Sequence, residues 1–417
     1  MRLLFISNLY PPHDIGGYEK HCQEVADGLS QRGHDVQVLT SRHGVAAPVQ
    51  EGHVIRSLYL ESDLRHYSPA HFFLRRNREE RFNIDMMRST IIDSMPHAIL
   101  FWGMWNLSRR VPAIAEHSGF PVAYWLGDLW PLDADMHTRY WRSAVNGYLG
   151  RLFMPWMSRL ALRRLAAEGY PPELEYRYAA CGSQFLQREL AAQFSAFQEA
   201  RVVLCGVDLA MFAGCQPHAR LSNPAAPRII YVGGLGPHKG VHTVVEAMAR
   251  LRHKSPGSQP SLTIVGSGHP DNKERLRQLA LETGSNEYIH FTGTMPKESV
   301  PSLLAEHDIL VVPSAWEEPF GRVVVEGMAA GLVVVGTATG GSAEVLVDEA
   351  NGLVFPVEDA GALATCLLRL LHDPALYARL AKAGKETAGR FDLQYMIDGI
   401  ECFLFDVVVR NGPRMAT

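Results

Sequence analysis

The chain has 417 residues, enough for two or three domains, and 47% of them are hydrophobic against 20% charged. That apolar content can fill a sizeable core and excludes disorder as the dominant state. Its 40 basic and 44 acidic side chains leave a net charge of -4. Neither half has the basic excess that phosphate-backbone binding demands, so nucleic acid is a poor partner.

In chain order, Leu3 to Ile6 is an apolar run ending in Ser7 and Asn8, which predicts a buried strand. The run is too short for a secretion leader, which makes the cytoplasm the expected compartment. Pro11-Pro12 and Gly16-Gly17 mark a turn. Cys22, Val25, Ala26 and Leu29 then repeat at helical spacing as far as Gly33, and Val36 to Thr40 predicts a second strand. Strand, glycine-rich turn, helix and strand open a doubly wound α/β domain. Val54 to Leu60, Ala98 to Trp102 and Val122 to Leu126 continue the strands.

Residues 206–227 hold Gly206, Gly214, Pro217, Pro224 and Pro227, the composition of a linker. The same grammar then restarts. Arg228 to Val232 predicts a strand, Gly233 to Gly240 a glycine-rich turn and Val241 to Arg252 an amphipathic helix. Further strands are expected at Leu262 to Val265, Ile289 to Phe291, Ile309 to Val312 and Leu332 to Thr337. The expected architecture is two Rossmann-like α/β domains, 1–215 and 216–392, with a helical tail in 393–417. Ligands are expected beyond the strand carboxyl ends, in the cleft between the domains. The uncharged stretch Gly327 to Gly341 is broken by glycines, and no run approaches the ~20 apolar residues of a membrane span. The six cysteines include no C-x-x-C, so they read as reduced structural thiols.

The stretch that carries chemistry is Pro313-Ser314-Ala315-Trp316-Glu317-Glu318-Pro319-Phe320-Gly321-Arg322-Val323-Val324-Val325-Glu326. A strand ends at Val312 and a helix begins near Arg322, so the opening N–H groups of that helix suit a phosphate. Glu326 falls one turn inside the helix, where a carboxylate can accept from ribose hydroxyls, and Glu318 projects from the loop. Two glutamates at this spacing would by themselves be ordinary solvated charges.

Their context decides otherwise. The segment resembles the E-x7-E pattern of the retaining, two-domain GT-B glycosyltransferases, in the large glycogen-synthase-like and mannosyltransferase-like family. Gly16-Gly17-Tyr18-Glu19, Gly33-His34-Asp35-Val36, Gly206-Val207-Asp208, Lys239-Gly240, Gly266-Ser267-Gly268, Gly340-Gly341-Ser342-Ala343-Glu344 and Asn351-Gly352-Leu353 match that family's further motifs in order. The resemblance implies transfer of a sugar from a nucleotide diphosphate sugar, UDP- or GDP-linked, to an acceptor hydroxyl with the anomeric configuration kept. The first domain would take the acceptor and the second the donor.

For catalysis it points to Glu318 and Lys239; Asp128 is an acceptor-side candidate, with a loop-capping Asp the plainer reading. For donor binding it points to Gly16, Gly17, Gly234, Lys239, Gly266, Gly268, Thr294, Met295, Glu318, Phe320, Gly321, Arg322, Val323 and Glu326. No metal or other cofactor is expected, because the family usually meets the leaving diphosphate with cations and backbone dipoles and no Asp-x-Asp motif is present. Two positions depart from the pattern. Gly234 stands where an Arg is often found, and the loop Gly127-Asp128-Leu129 lacks the usual His.

Residues 136–167 contain no acidic side chain but hold Arg139, Arg142, Arg151, Arg159, Arg163 and Arg164, interleaved with Trp141, Leu149, Leu152, Phe153, Trp156 and Leu160. Such a segment can rest on an anionic membrane and bring a lipid-linked acceptor to the site, with a sugar or small-molecule acceptor as the alternative. An ordinary surface helix with snorkelling arginines is the plainer reading. Rival functions are an epimerase or hydrolase of nucleotide sugars on the same fold, and a non-catalytic nucleotide-sugar-binding protein.

Overall fold

The structure is a computed structural model. It describes residues 1–64, 66–143, 150–216, 221, 223–255 and 257–412, without the side chains of 150–153. Leu149, Arg151, Leu152, Phe153 and Pro217 of the sequence reading lie outside what is described, as do residues 413–417 of the tail. The chain divides into two compact units. One comprises 1–182, 186–203 and the chain from 397 onward; the other comprises 183–185 and 204–396.

The first unit contains strands β1 (Arg2–Ser7), β2 (Asp35–Ser41), β3 (Val49–Glu51), β4 (Val54–Leu58), β5 (Ala98–Phe101), β6 (Val122–Leu126), β7 (Ala179–Cys181) and β8 (Arg201–Val202). They form one sheet in the order β3-β4-β2-β1-β5-β6-β7-β8. All neighbours are parallel except β3, which runs antiparallel to β4 at the edge. Leu4, Phe5 and Ile6 of β1 are fully buried, as expected of a central parallel strand covered on both faces. Trp102 and Trp125 stack at 4.1 Å between centroids beyond β5 and within β6, and His21 meets both edge-on.

The second unit contains β9 (Arg228–Val232), β10 (Ser261–Val265), β11 (Ile289–Gly293), β12 (Ile309–Val312), β13 (Val333–Gly336) and β14 (Leu353–Val354). Its sheet order is β11-β10-β9-β12-β13-β14, all parallel. Counted from its own first strand that is 3-2-1-4-5-6, the doubly wound order with its topological switch between β9 and β12. The first unit switches likewise between β1 and β5. Val244, Val245, Met248 and Leu251 of the helix Val241–Lys254 pack with Ile229, Ile264, Val311 and Val335 in the core of the second unit.

Three readings change. The stretch 204–215, placed at the end of the first domain and partly read as linker, packs with the second unit. There Val207 bridges to Asp392, Phe212 is buried, and the Lys385 ammonium donates to the Cys215 carbonyl at 3.1 Å. Residues 136–167 are not one helix but Met136–Ser143 and Gly150–Ala167. Their aromatics also divide: Trp141 is buried with Phe72, Ala161, Leu165 and Tyr170, whereas Trp156 is 67% and Leu160 44% exposed. Arg164 is not a free surface cation, since it donates to Glu168 at 3.1 Å and lies over the Phe72 ring.

Candidate functional site

In the second unit the switch point is also where the charged residues gather. Lys239 lies in the turn after β9 and Glu318 in the loop after β12, strands adjacent in the sheet. The Lys239 ammonium donates to Glu318 Oε1 at 2.7 Å, and the Ser314 hydroxyl donates to the same oxygen at 2.6 Å. Lys239 Nζ also lies 4.8 Å from the centroid of the Trp316 ring. Glu318 is 8% exposed, and the two donors on Oε1 supply hydrogen bonds that a buried carboxylate needs.

The backbone makes the pairing possible. Gly240 closes the turn at φ +67, and a Cβ there would lie 1.9 Å from the Pro313 carbonyl oxygen. Only glycine lets the β9 turn approach the β12 loop so closely. The Ala315 N–H donates to the His238 carbonyl at 2.8 Å, tying loop to turn. Gly266, at φ +133, plays the same part after β10, since its Cβ would lie 1.9 Å from the Gly233 carbonyl oxygen. Thr339 and Thr337 hydroxyls donate to the Trp316 and Ser314 carbonyls at 2.7 and 2.8 Å, holding the loop from the β13 side.

The other named positions of this unit line the same strand ends. Gly321 caps the helix Arg322–Ala329, with Val323 and Glu326 half-buried in its first two turns. Gly234 is exposed, with no atom closer than 3.9 Å to where its Cβ would be. Thr294 is exposed and Met295 half-buried just past β11, and Gly268 faces Leu235. The Phe320 side chain is 3% exposed and meets the Phe391 ring at 5.5 Å.

In the first unit Gly16 and Gly17 are exposed at the start of the helix Gly17–Gln31, after β1. Tyr18 ties that helix start to two other strand ends: its hydroxyl donates to the Trp102 carbonyl at 3.0 Å and accepts from the Gly127 N–H at 3.2 Å. Asp128 follows Gly127. Burial pushes its carboxyl up to about 7; the nearby Asp133 and Glu19 carboxylates add to the rise, and the Trp130 N–H opposes it. Glu19, 3% exposed, is raised above the ordinary carboxylate range, chiefly by burial. Motif matching missed Tyr18, Ser314 and Trp316, whose roles are contacts across loops; the fixed spacing of Ser314 and Trp316 ahead of Glu318 was the available signal.

Two family models match the chain, one described as Glycosyltransferase Family 4 over residues 15–211 and one as Glycosyl transferases group 1 over residues 217–387. A glycogen synthase of Mycobacterium tuberculosis (strain ATCC 25618 / H37Rv) is 28% identical over 93% of this chain and 90% of its own length. Among solved structures, a sucrose-phosphate synthase from Thermosynechococcus elongatus matches with a TM-score of 0.72 at 22% identity, over 98% of this chain and 99% of that one. Anabaena HepE in complex with UDP-glucose matches with a TM-score of 0.65 at 19% identity, over 97% of this chain and 100% of that one.

Proposed function

The chain is a GT-B glycosyltransferase that belongs with family 4 in its first half and with the group 1 glycosyl transferases in its second, and from that premise we propose that it moves a sugar from a nucleotide diphosphate sugar to an acceptor hydroxyl with retention of configuration. The observation that carries the reading is the Lys239–Glu318 pair at the switch point of the second sheet, beside the N-terminus of the helix Arg322–Ala329.

A departing diphosphate gains negative charge in the transition state, and a positioned cation in a half-buried site lowers that barrier most. Lys239 is that cation, and the Gly321–Val323 backbone supplies dipoles. Glu318 Oε2 takes hydroxyls of the donor sugar, and Glu326 takes the ribose. The sugar–phosphate C–O bond breaks with its electron pair leaving on the diphosphate. The acceptor oxygen bonds to the same face of the sugar, and its proton passes to the departing phosphate oxygen. Asp128, with its carboxyl near neutrality, orients the acceptor hydroxyl in this scheme.

No metal enters the proposed scheme, so turnover is expected to survive chelation. The acceptor class stays open among sugar, lipid-linked and small-molecule hydroxyls. No helix among the described residues is long and apolar enough to cross a membrane. The exposed Trp156, Leu160, Arg159 and Arg163 support contact with an anionic lipid surface.

Thermal unfolding with UDP, GDP and their sugars tests the reading. A nucleotide at 100 times its Kd stabilises by about 2.7 kcal/mol. The anomeric configuration of any product, read by NMR, tests retention. No stabilisation by any nucleoside diphosphate, or activity lost to EDTA and restored by Mg²⁺ or Mn²⁺, overturns the corresponding part.

A further inference from the structure

Trp316 is a large apolar residue left 40% exposed on a loop whose neighbours Ser314 and Glu318 are buried. Core packing does not account for it. Its surroundings are nonetheless fixed: the Thr339 hydroxyl holds its carbonyl at 2.7 Å, the preceding Ala315 N–H bonds to the His238 carbonyl at 2.8 Å, and the His238 ring meets the indole edge-on at 5.2 Å. What the indole face covers is the Lys239 ammonium, 4.8 Å from the ring centroid. On another side that ammonium meets Glu318 Oε1 at 2.7 Å.

We propose that Trp316 is a positioning residue for the leaving-group cation: its indole face and the Glu318 carboxylate together hold Lys239 in place before the diphosphate arrives.

A lysine on its four-carbon stem loses roughly 2 kcal/mol of rotamer freedom when ordered. Here the indole face and the Glu318 carboxylate already restrain it, so less of that ordering falls to the step in which charge grows on the diphosphate. The site has reason to depend on it. Gly234 has no side chain, and burial together with the adjacent Lys239 pushes the His238 imidazole below its ordinary value, against the pull of Glu318. The same geometry divides the work of Glu318. Oε1 is committed to Lys239 and Ser314, and Oε2, with no hydrogen bond among the described residues, is left for ligand hydroxyls. A cation held on a π face keeps N–H donors free for phosphate, whereas a second carboxylate would compete for them.

The inference rests on the nucleotide-sugar reading, and its test separates the two. Trp316→Phe and Trp316→Leu are made in the native and the Lys239→Ala backgrounds, with kcat and donor KM measured and UDP or GDP affinity read by calorimetry. Trp316→Leu is expected to lower kcat about tenfold, a typical cation–π contribution, with nucleotide affinity changed less than about threefold. Trp316→Phe is expected to recover most of the loss, and in the Lys239→Ala background Trp316→Leu is expected to change nothing further.

An equal loss in both backgrounds would mean that the indole acts on the sugar or acceptor itself, and a Trp316→Leu enzyme with native kcat would remove its role. NMR of ¹³C-dimethylated lysines gives a readout free of turnover. Lys239 is expected upfield by ring current in the native protein and at its ordinary position in Trp316→Leu; an unshifted native signal overturns the proposal. A protein that turns over no nucleotide sugar refutes the transfer reading, while the shift still judges the Trp316–Lys239 contact.

Discussion

The two sheets have like switch points and furnish them in opposite ways. At the second, beyond β9 and β12, the groups are paired: Lys239 with Glu318 at 2.7 Å, Ser314 on the same oxygen at 2.6 Å, and an indole face over the lysine ammonium. At the first, Glu19 follows β1 and Asp128 follows β6, the strands on either side of β5; burial lifts both carboxyls, Asp128 to about 7, with the Asp133 and Glu19 charges adding to the rise of Asp128. A positioned cation suits an anionic ligand. A carboxyl lifted toward neutrality exchanges its proton easily and suits a hydroxyl. The division fits a donor carrying a diphosphate and an acceptor carrying an alcohol.

The largest effect that would break the comparison is at Lys239. Under the proposed function Lys239→Ala is expected to lower turnover about a hundred- to a thousandfold, roughly 2.7–4 kcal/mol, while nucleotide affinity moves much less. Steady-state kinetics beside calorimetry decide it, and loss confined to nucleotide affinity would mean that the cation serves binding alone.

The lifted carboxyls of the first unit extend to Glu61, which is 6% exposed. Burial pushes it up to about 8; Asp135 adds to the rise, and hydrogen bonds from the Tyr170 hydroxyl and the Met136 N–H oppose it. Its native value lies above the unfolded one, so the folded state keeps a proton that the unfolded state has lost, and stability falls as pH rises through about 4.5 to 8. His137 in the same network is lowered to about 3 by burial and Arg76, so its contribution rises with pH only up to about 6.5. Between pH 6.5 and 8 Glu61 contributes a descent of at most about 1.4 kcal/mol per pH unit, to which the end of the Asp128 titration adds. Glu61→Gln is expected to flatten that descent in urea unfolding followed against pH, whatever its absolute stability.

A glycine pair sharpens the contrast in packing. Gly240→Ala forces a side chain into the left-handed region and onto the Pro313 carbonyl, with an expected cost of about 2 kcal/mol or more and a displaced Lys239. Gly17 has nothing within 4 Å of its would-be Cβ, so Gly17→Ala is expected to leave stability within about 0.5 kcal/mol. Paired thermal melts check both. The smallest effect on folding is expected at Arg159 and Arg163. Exchanging both for Glu is expected to shift stability by less than about 0.5 kcal/mol yet release the protein from anionic liposomes in a flotation assay.

Much of this molecule is legible before folding. Apolar runs bounded by glycine and proline placed most of the strands that build the two sheets, because a strand buried on both faces must be apolar throughout and its turns need special backbone angles. The same turns carry the family's motifs, so the resemblance located Lys239 and Glu318 as well. The two-residue strands β8 and β14 and the three-residue β3 and β7 were missed, being too short to show a period.

What only tertiary structure decided is every property that a distant neighbour confers. Lys239 and Glu318 stand 79 residues apart and meet because β9 and β12 are adjacent in the sheet. Trp141 entered the core and Trp156 did not, although both read as apolar positions of one basic segment. The stretch 206–215, read by composition as part of a linker, belongs to the second unit, with Phe212 buried there. Asp128 titrates near neutrality because surrounding groups strip its water. Periodicity and turn chemistry act over a few residues and are written locally, whereas desolvation and ion pairing depend on which strand lies beside which, and folding alone settles that.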